Sequence, residues 1–132
     1  MITQNIYLRK YDWKVVVLYE VDIADADNVI SLLNRICKDD DVIRVVYDSI
    51  YSQELNRGFI YSNYNTHESV IMIGKASSAR EMIDTIVHEA NHLQSHIATV
   101  FDLNEKGEEV CYLIGGVVKT MFKVFSKLIC AK

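Results

Sequence analysis

Two histidines four residues apart, His88 and His92, stand in the sequence His-Glu-Ala-Asn-His. On an α-helix, residues i and i+4 lie on the same face with their Cβ atoms about 5–6 Å apart. Two imidazoles placed in this way can share one metal ion, at about 2.0–2.1 Å from each nitrogen. Glu89 stands beside them, where its carboxylate can accept a proton from a metal-bound water. The pattern therefore predicts a zinc site with Glu89 as the general base.

A catalytic zinc takes three protein ligands and leaves one position for water, so a third ligand is needed. His96 extends the same stripe of histidines, but it lies about 12 Å along the helix axis from His88. Two nitrogens bound to one zinc must approach within roughly 3–3.5 Å, and a straight helix cannot close that gap. We therefore interpret His96 as a residue of the cleft wall or the substrate side, with a solvated or capped histidine as the alternative.

Two carboxylates, Glu108 and Glu109, follow His92 by 16 and 17 residues. Both fall in the predicted first turn of the next helix, which can face the histidine pair. Helical phase favours Glu108, because it shares a face with Tyr112 and Gly115. Glu109 stays open as the alternative ligand, and it is otherwise a solvated carboxylate favoured by the helix dipole. Tyr112 and His96 are candidate oxyanion donors, and for Tyr112 a core aromatic residue is the preferred interpretation.

The elements that must position these residues can be read from apolar periodicity. Apolar positions at helical spacing predict one long amphipathic helix over residues 78–100, and Ser78 with Glu81 has the spacing of a capping box. A last helix is predicted over residues 107–131. In it, Gly115 and Gly116 predict a close approach to the metal helix, and lysines recurring every four residues mark a solvated face.

The first half of the chain predicts β structure followed by a helix. Residues 14–21 are rich in β-branched side chains and predict a strand, and a helix is predicted over about 27–37. Residues 42–51 are ambiguous and favour a strand weakly. Residues 52–57 read as a polar connection, and residues 58–62 are expected to pair with a strand over 69–74.

These patterns together predict an α+β fold. At 132 residues the chain is expected to form one domain over residues 1–132, with a βα start over 1–55 and a metal-site core over 58–131.

Composition excludes several classes of function. The net charge is −4 and no basic block is present, so nucleic-acid binding is not expected. The uncharged run over residues 110–118 is too short to cross about 30 Å of hydrocarbon, so no membrane partner is expected. Cys37 and Cys111 fall at apolar helical positions and are expected to be buried thiols. Together with the absence of a signal peptide at the start of the sequence, this predicts a cytoplasmic protein.

The motif His88-Glu89-x-x-His92 followed by Glu108-x-x-Cys111 resembles the gluzincin pattern, H-E-x-x-H followed by E-x-x-A. A cysteine stands where alanine is usual, which exchanges one small residue for another. The resemblance implies Zn²⁺ bound by the two histidines and by Glu108, with Glu89 as the base. It also implies a zinc metallopeptidase that acts on a peptide or protein substrate.

A closer resemblance is to small gluzincin-like proteins encoded by phages and prophages of gut bacteria. It is carried by residues 69–75, 85–93 and 108–115, and it covers about residues 58–125. It implies a zincin-like core, in which a small mixed sheet packs on the metal helix and on a C-terminal helix that bears the glutamate. The edge strand of that sheet, expected at residues 69–74, would border the cleft and hold an extended peptide. By this resemblance the protein would act in the bacterial host cell.

Two other hypotheses remain open. The chain could be a non-catalytic binding or regulatory module that keeps the zincin fold, with a structural or residual zinc. Alternatively, it could bind no metal, with the histidines on the helix surface.

Overall fold

The computed structural model describes residues 1–53 and 58–131, which form a mixed sheet with α-helices on both faces. The predicted α+β class is confirmed. The strands are β1 (Ile2–Leu8), β2 (Trp13–Val21), β3 (Phe59–Asn63) and β4 (Glu68–Gly74). The helices are α1 (Ala26–Asn34), α2 (Asp40–Tyr51), α3 (Ala79–Phe101) and α4 (Glu108–Cys130). Part of the predicted connection over 52–57, namely residues 54–57, lies outside the described residues.

The strand order is β1-β2-β4-β3. β2 and β4 are parallel, whereas β1 pairs with β2 and β3 pairs with β4 in antiparallel fashion. The expected pairing of residues 58–62 with 69–74 is confirmed. The expectation that residues 69–74 form the sheet edge is wrong, because β2 occupies the other side of β4. The buried run from Ser69 to Gly74 is typical of an interior strand, and the edge strands of the described sheet are β1 and β3.

Side chains alternate between two cores, as the two-residue period of a strand requires. One core lies under α3 and α4, and the other lies under α1 and α2. In β2, Val15, Val17 and Tyr19 face α3 and α4, whereas Leu18 faces the other side. Val21 also faces α1 and α2, because the register shifts between Tyr19 and Val21. The sheet face that carries α3 is the one that matters for the candidate site.

Residues 42–51 are helical and belong to α2, so the weak preference for a strand was wrong. The side chain of Asp39 accepts a hydrogen bond from the amide of Asp41 and caps the helix. Val46 and Ile50, one turn apart, are its buried residues. The β-branched composition of the segment is therefore overridden by the cap and by the helical spacing of the buried side chains.

The predicted long helix over residues 78–100 is confirmed as α3, which begins after Ser78. Because it contains the motif His88-Glu89-x-x-His92, we call it the metal-motif helix. The hydroxyl of Ser78 accepts a hydrogen bond from the amide of Glu81 at 3.1 Å. The carboxylate of Glu81 accepts a hydrogen bond from Ser77. The helix ends at Asp102, which adopts the left-handed conformation that stops a helix.

The last helix is confirmed as α4, but its glycines do not contact α3. Gly115 and Gly116 are exposed, and a Cβ on either residue would meet no heavy atom within 4 Å. The predicted close approach is therefore wrong. The helix instead buries its apolar stripe, with Val110, Leu113 and Val117 facing the core. Lys119, Lys123 and Lys127 are exposed, as predicted.

The two cysteines at apolar helical positions, Cys37 and Cys111, differ in their exposure to solvent. Cys37 is buried, as predicted, and Cys111 is exposed, so the prediction for Cys111 was wrong. Cys111 is adjacent to Val110 in sequence and points about 100° away from it around the helix, off the buried stripe. Among the described residues, no helix has the length and apolar character needed to cross a membrane.

Candidate metal centre and cleft

His88 and His92 lie on one face of α3 with their Nε2 atoms 3.1 Å apart. The ring centroids are 4.6 Å apart and the planes are nearly perpendicular. Two nitrogens bound to one zinc at about 2.0–2.1 Å in a tetrahedral site would have a similar separation. Both histidines are exposed. The pair is therefore open to solvent and arranged so that both Nε2 atoms can reach one ion.

Glu89 is buried next to this exposed pair. The residue is only 3% exposed, and its Oε1 lies 3.9 Å from Nε2 of His88. Burial raises the pKa of the Glu89 carboxyl to about 7, because removal from water disfavours the charged form. A general base is most effective when its pKa is close to the working pH. Glu89 thus has the location and the proton affinity of a base.

A cleft of about 370 Å³ opens between α3 and the start of β3. The strand that borders the cleft is the edge strand β3, so the expectation that residues 69–74 border it is wrong. The carboxylate of Glu89 and two of the imidazoles share the cleft with backbone and apolar side chains of β3. Its lining residues are Gly58, Phe59, Ile60, Glu89, His92 and His96.

Gly58 allows β3 to approach Glu89 closely. Its φ is +76°, a conformation that residues with a Cβ rarely adopt. A Cβ at this position would lie 2.9 Å from Cγ2 of Thr85, 3.0 Å from the carbonyl oxygen of Met72 and 3.1 Å from Cγ of Glu89. The floor of the cleft therefore requires glycine here.

His96 is half-buried and joins a hydrogen-bonded network that crosses the sheet. Its Nδ1 lies 2.6 Å from Oγ of Ser62, and that hydroxyl lies 2.6 Å from Oγ of Ser69. The indole Nε1 of Trp13 donates a hydrogen bond to Ser69 at 2.8 Å. Burial, and next the charge of His92, lower the pKa of His96, so the neutral imidazole is favoured.

The predicted third ligand, Glu108, is the first residue of α4 and is exposed. His92 precedes the end of α3 by nine residues, roughly 13 Å along the axis, and α4 starts beyond that end. Moreover, α3 contacts β3 whereas α4 contacts β1 at the opposite edge of the sheet. The structure thus brings together His88, Glu89, His92 and His96, and it does not bring Glu108 to them.

Glu109 is engaged elsewhere. It accepts a hydrogen bond from Tyr11 Oη at 2.8 Å and pairs with Lys10 Nζ at 2.8 Å. The contact with Lys10, and next the bond from Tyr11, lower its pKa. Tyr112 is 76% exposed and lines a separate depression beside these residues, so it is not a core aromatic residue and is not part of the cleft.

The donor set fits zinc in part. Two imidazole nitrogens are suitable ligands at a suitable separation. However, across residues 1–53 and 58–131 no three histidine, cysteine, aspartate or glutamate side chains are grouped to hold a metal ion. A complete zinc site would therefore need a further ligand or a shift of the helix that bears Glu108.

The protein belongs to the α+β structural class. In its fold, a cleft lies between the edge strand β3 and the helix α3, which contains the motif His-Glu-x-x-His. Family models, curated proteins and solved structures were compared with this chain, and none of them matches it. The cleft and its side chains are therefore the features that bear on function.

Proposed function

We propose that this protein is a zinc-dependent metallopeptidase with a zincin-like core. His88 and His92 would hold the metal, and Glu89 would be the general base. The observation that supports this most directly is the 3.1 Å separation of the two Nε2 atoms beside a buried carboxylate. Zinc, when bound, supplies Lewis acidity, which lowers the pKa of water and polarises a peptide carbonyl.

Glu89 would move the proton. Glu89 lines the cleft, and without metal the pKa of its carboxyl is about 7. The positive charge of a bound zinc would favour the ionised carboxylate, which can accept a proton from the attacking water. The protonated carboxyl can then donate that proton to the nitrogen of the leaving amine. A glutamate with an ordinary pKa would accept the proton less readily.

An extended peptide is the class of substrate that suits this cleft. Within the sheet formed by residues 1–53 and 58–131, β3 is an edge strand, so one side of it has main-chain groups that are not paired with another described strand. Such an edge can bind a peptide in an extended conformation through main-chain hydrogen bonds. The peptide would then run along the wall of the cleft that contains Glu89.

Glu108 is the proposed third ligand. It is preferred over Glu109, which is held by Tyr11 and Lys10. Coordination by Glu108 would require the first turn of α4 to move relative to α3. Zinc binding would then be coupled to a change in the packing of the two helices.

The second candidate function is a non-catalytic binding or regulatory module with a structural or residual zinc. It is favoured by one observation, namely that the edge strand β3 borders the cleft and can bind an extended peptide whether or not cleavage follows. The buried carboxylate argues for catalysis, because a structural site does not need a base.

Cleavage by the Glu89→Gln variant distinguishes the two functions. Wild-type protein loaded with zinc should cleave members of a quenched fluorogenic peptide library. Glu89→Gln should still bind zinc, but its rate of peptide cleavage should be at least about 100-fold lower. Glu105→Gln, at an exposed glutamate, is the matched control and should cleave as wild type does. Zinc binding without cleavage of any library peptide would support the module instead.

A further inference from the structure

A hydrogen-bonded network links the hydrophobic core to the cleft. It consists of Trp13, Ser69, Ser62 and His96, which we call the Trp13–His96 network. These residues belong to β2, β4, β3 and α3 respectively, so the network crosses three strands and ends on the metal-motif helix. Trp13 is fully buried and Ser69 is 1% exposed. The inner end of the network is therefore removed from water.

The chemistry of the inner end sets the direction of the hydrogen bonds. An indole nitrogen can only donate, so Ser69 Oγ accepts from Trp13. The hydroxyl hydrogen of Ser69 then needs an acceptor, and the remaining partner is Ser62 Oγ at 2.6 Å. The hydroxyl hydrogen of Ser62 is left to be donated to Nδ1 of His96. In this direction the indole N–H and both serine hydroxyls each have an acceptor.

The opposite direction leaves a buried donor without a partner. If Nδ1 of His96 carried the hydrogen, Ser62 would accept from it and donate to Ser69. Ser69 would then accept two hydrogen bonds, and its own hydrogen would have no acceptor among the residues that the structure describes. An unpaired buried polar group costs about 1–3 kcal/mol, which is enough to select one direction.

We propose that Trp13, Ser69 and Ser62 fix His96 as the neutral tautomer with the hydrogen on Nε2. His96 lines the cleft, and Nδ1 is occupied by Ser62, so Nε2 is the ring nitrogen left for the cleft. His96 then offers an N–H donor to the carbonyl oxygen of a bound peptide, and it does not offer a lone pair to the metal. Only the identity of that acceptor rests on the proposed function.

Ser62 and Ser69 are positioning residues in this proposal, because they act through the imidazole. The role is specific to the hydroxyl groups. Ser62 and Ser69 face each other in the antiparallel register of β3 and β4, which brings the hydroxyls together without strain. The neighbouring Tyr64 ring packs on His96 with centroids 5.6 Å apart and restricts the ring further.

Nitrogen NMR on protein with isotope-labelled histidine measures the tautomer directly, because protonated and unprotonated ring nitrogens differ widely in chemical shift. The purified protein is measured at neutral pH with EDTA, and the His96→Gln variant assigns the signals. We expect the hydrogen of His96 on Nε2 alone. A hydrogen on Nδ1 would overturn the proposal.

Substitutions at Ser62 separate positioning from folding. Ser62→Ala should give a mixture of both His96 tautomers, and Ser62→Thr, which keeps the hydroxyl, should restore the single form. His88, whose ring nitrogen contacts His92, lies outside the network and is the internal reference, so its signals should stay constant. An unchanged His96 signal in Ser62→Ala would contradict the proposal. If Ser62→Ala does not fold, the tautomer in wild type and in Ser62→Thr still decides it.

Addition of an equimolar amount of zinc sulfate tests the donor role. The nitrogen signals of His88 and His92 should shift strongly, while Nε2 of His96 keeps its hydrogen. Loss of that hydrogen on zinc binding would make His96 a ligand and overturn the proposal. If zinc changes none of the three histidines, the proposed zinc site fails, and the tautomer measured with EDTA still decides the role of the network.

Discussion

Gly58 and Glu89 meet at the floor of the cleft: a Cβ at Gly58 would lie 3.1 Å from Cγ of Glu89. The position of the proposed base is thus set by the start of the edge strand as well as by α3. Glu89 is only 3% exposed, and this burial is what raises the pKa of its carboxyl to about 7. The packing of β3 on α3 therefore determines the surroundings of the proposed base.

Gly58→Ala should destabilise the protein by roughly 2–4 kcal/mol, because it adds strain at positive φ to an overlap with neighbouring atoms. One of those atoms is the carbonyl oxygen of Met72, at 3.0 Å, which belongs to the backbone of β4 and cannot move without disturbing the sheet. Urea unfolding followed by circular dichroism measures the change. Wild-type stability in Gly58→Ala would show that the close approach is not required.

Gly116→Ala is the opposite case and the matched control. Gly116 lies inside α4 and is exposed, and a methyl group added there would meet open space. Alanine has the higher helix propensity, so the variant should be more stable by about 0.5–1 kcal/mol. The same urea titration measures it. A decrease of more than about 1 kcal/mol in the free energy of unfolding would indicate that Gly116 packs closely against another helix or strand.

Stability without metal should depend on pH through Glu89. Its pKa rises from 4.5 to about 7 on folding, so the folded state holds the proton more tightly than the unfolded state. The contribution is fully present below about pH 4.5 and is lost as the pH rises through about 7, by up to roughly 3 kcal/mol. We expect Glu89→Gln to remove this decline in unfolding free energy, measured in EDTA. Parallel pH profiles for wild type and the variant would refute the assignment.

The two adjacent carboxylates of α4 should differ in their effect on zinc affinity. Glu108→Gln should weaken zinc binding by at least about 10-fold if Glu108 is the third ligand. Glu109→Gln should leave the affinity unchanged and only break the contacts with Lys10 and Tyr11. Competition with a chromophoric chelator measures both. Equal affinity in the two variants would remove Glu108 from the ligand set.

Local spacing was sufficient to predict the metal-motif helix and the juxtaposition of His88 and His92. Both follow from helix geometry and depend on no distant residue. The secondary structure of residues 42–51 was harder to predict, because the local signals conflict. Their β-branched side chains favour a strand, whereas the cap at Asp39 and the burial of Val46 and Ile50 favour a helix. Only tertiary packing decides between these signals.

The position of the cleft wall depends on strand pairing between residues that are distant in sequence. The sequence indicated that residues 58–62 pair with 69–74, and this pairing brings Ser62 opposite Ser69. It did not indicate that β2 would lie parallel to β4, which makes β4 an interior strand and brings Trp13 to Ser69. The contribution of Gly58 was also missed, because positive φ and contact with α3 leave no local pattern. A glycine directly before a predicted strand was the available signal.

The central claim is that His88 and His92 together bind zinc, and elemental analysis of untagged protein after equilibration with zinc and dialysis tests it most directly. The account predicts one zinc per chain in wild type and in Glu89→Gln, and loss of the metal in His92→Ala, with His67→Ala as the control that retains it. Wild-type protein without zinc, or His92→Ala with a full complement of zinc, would contradict the account.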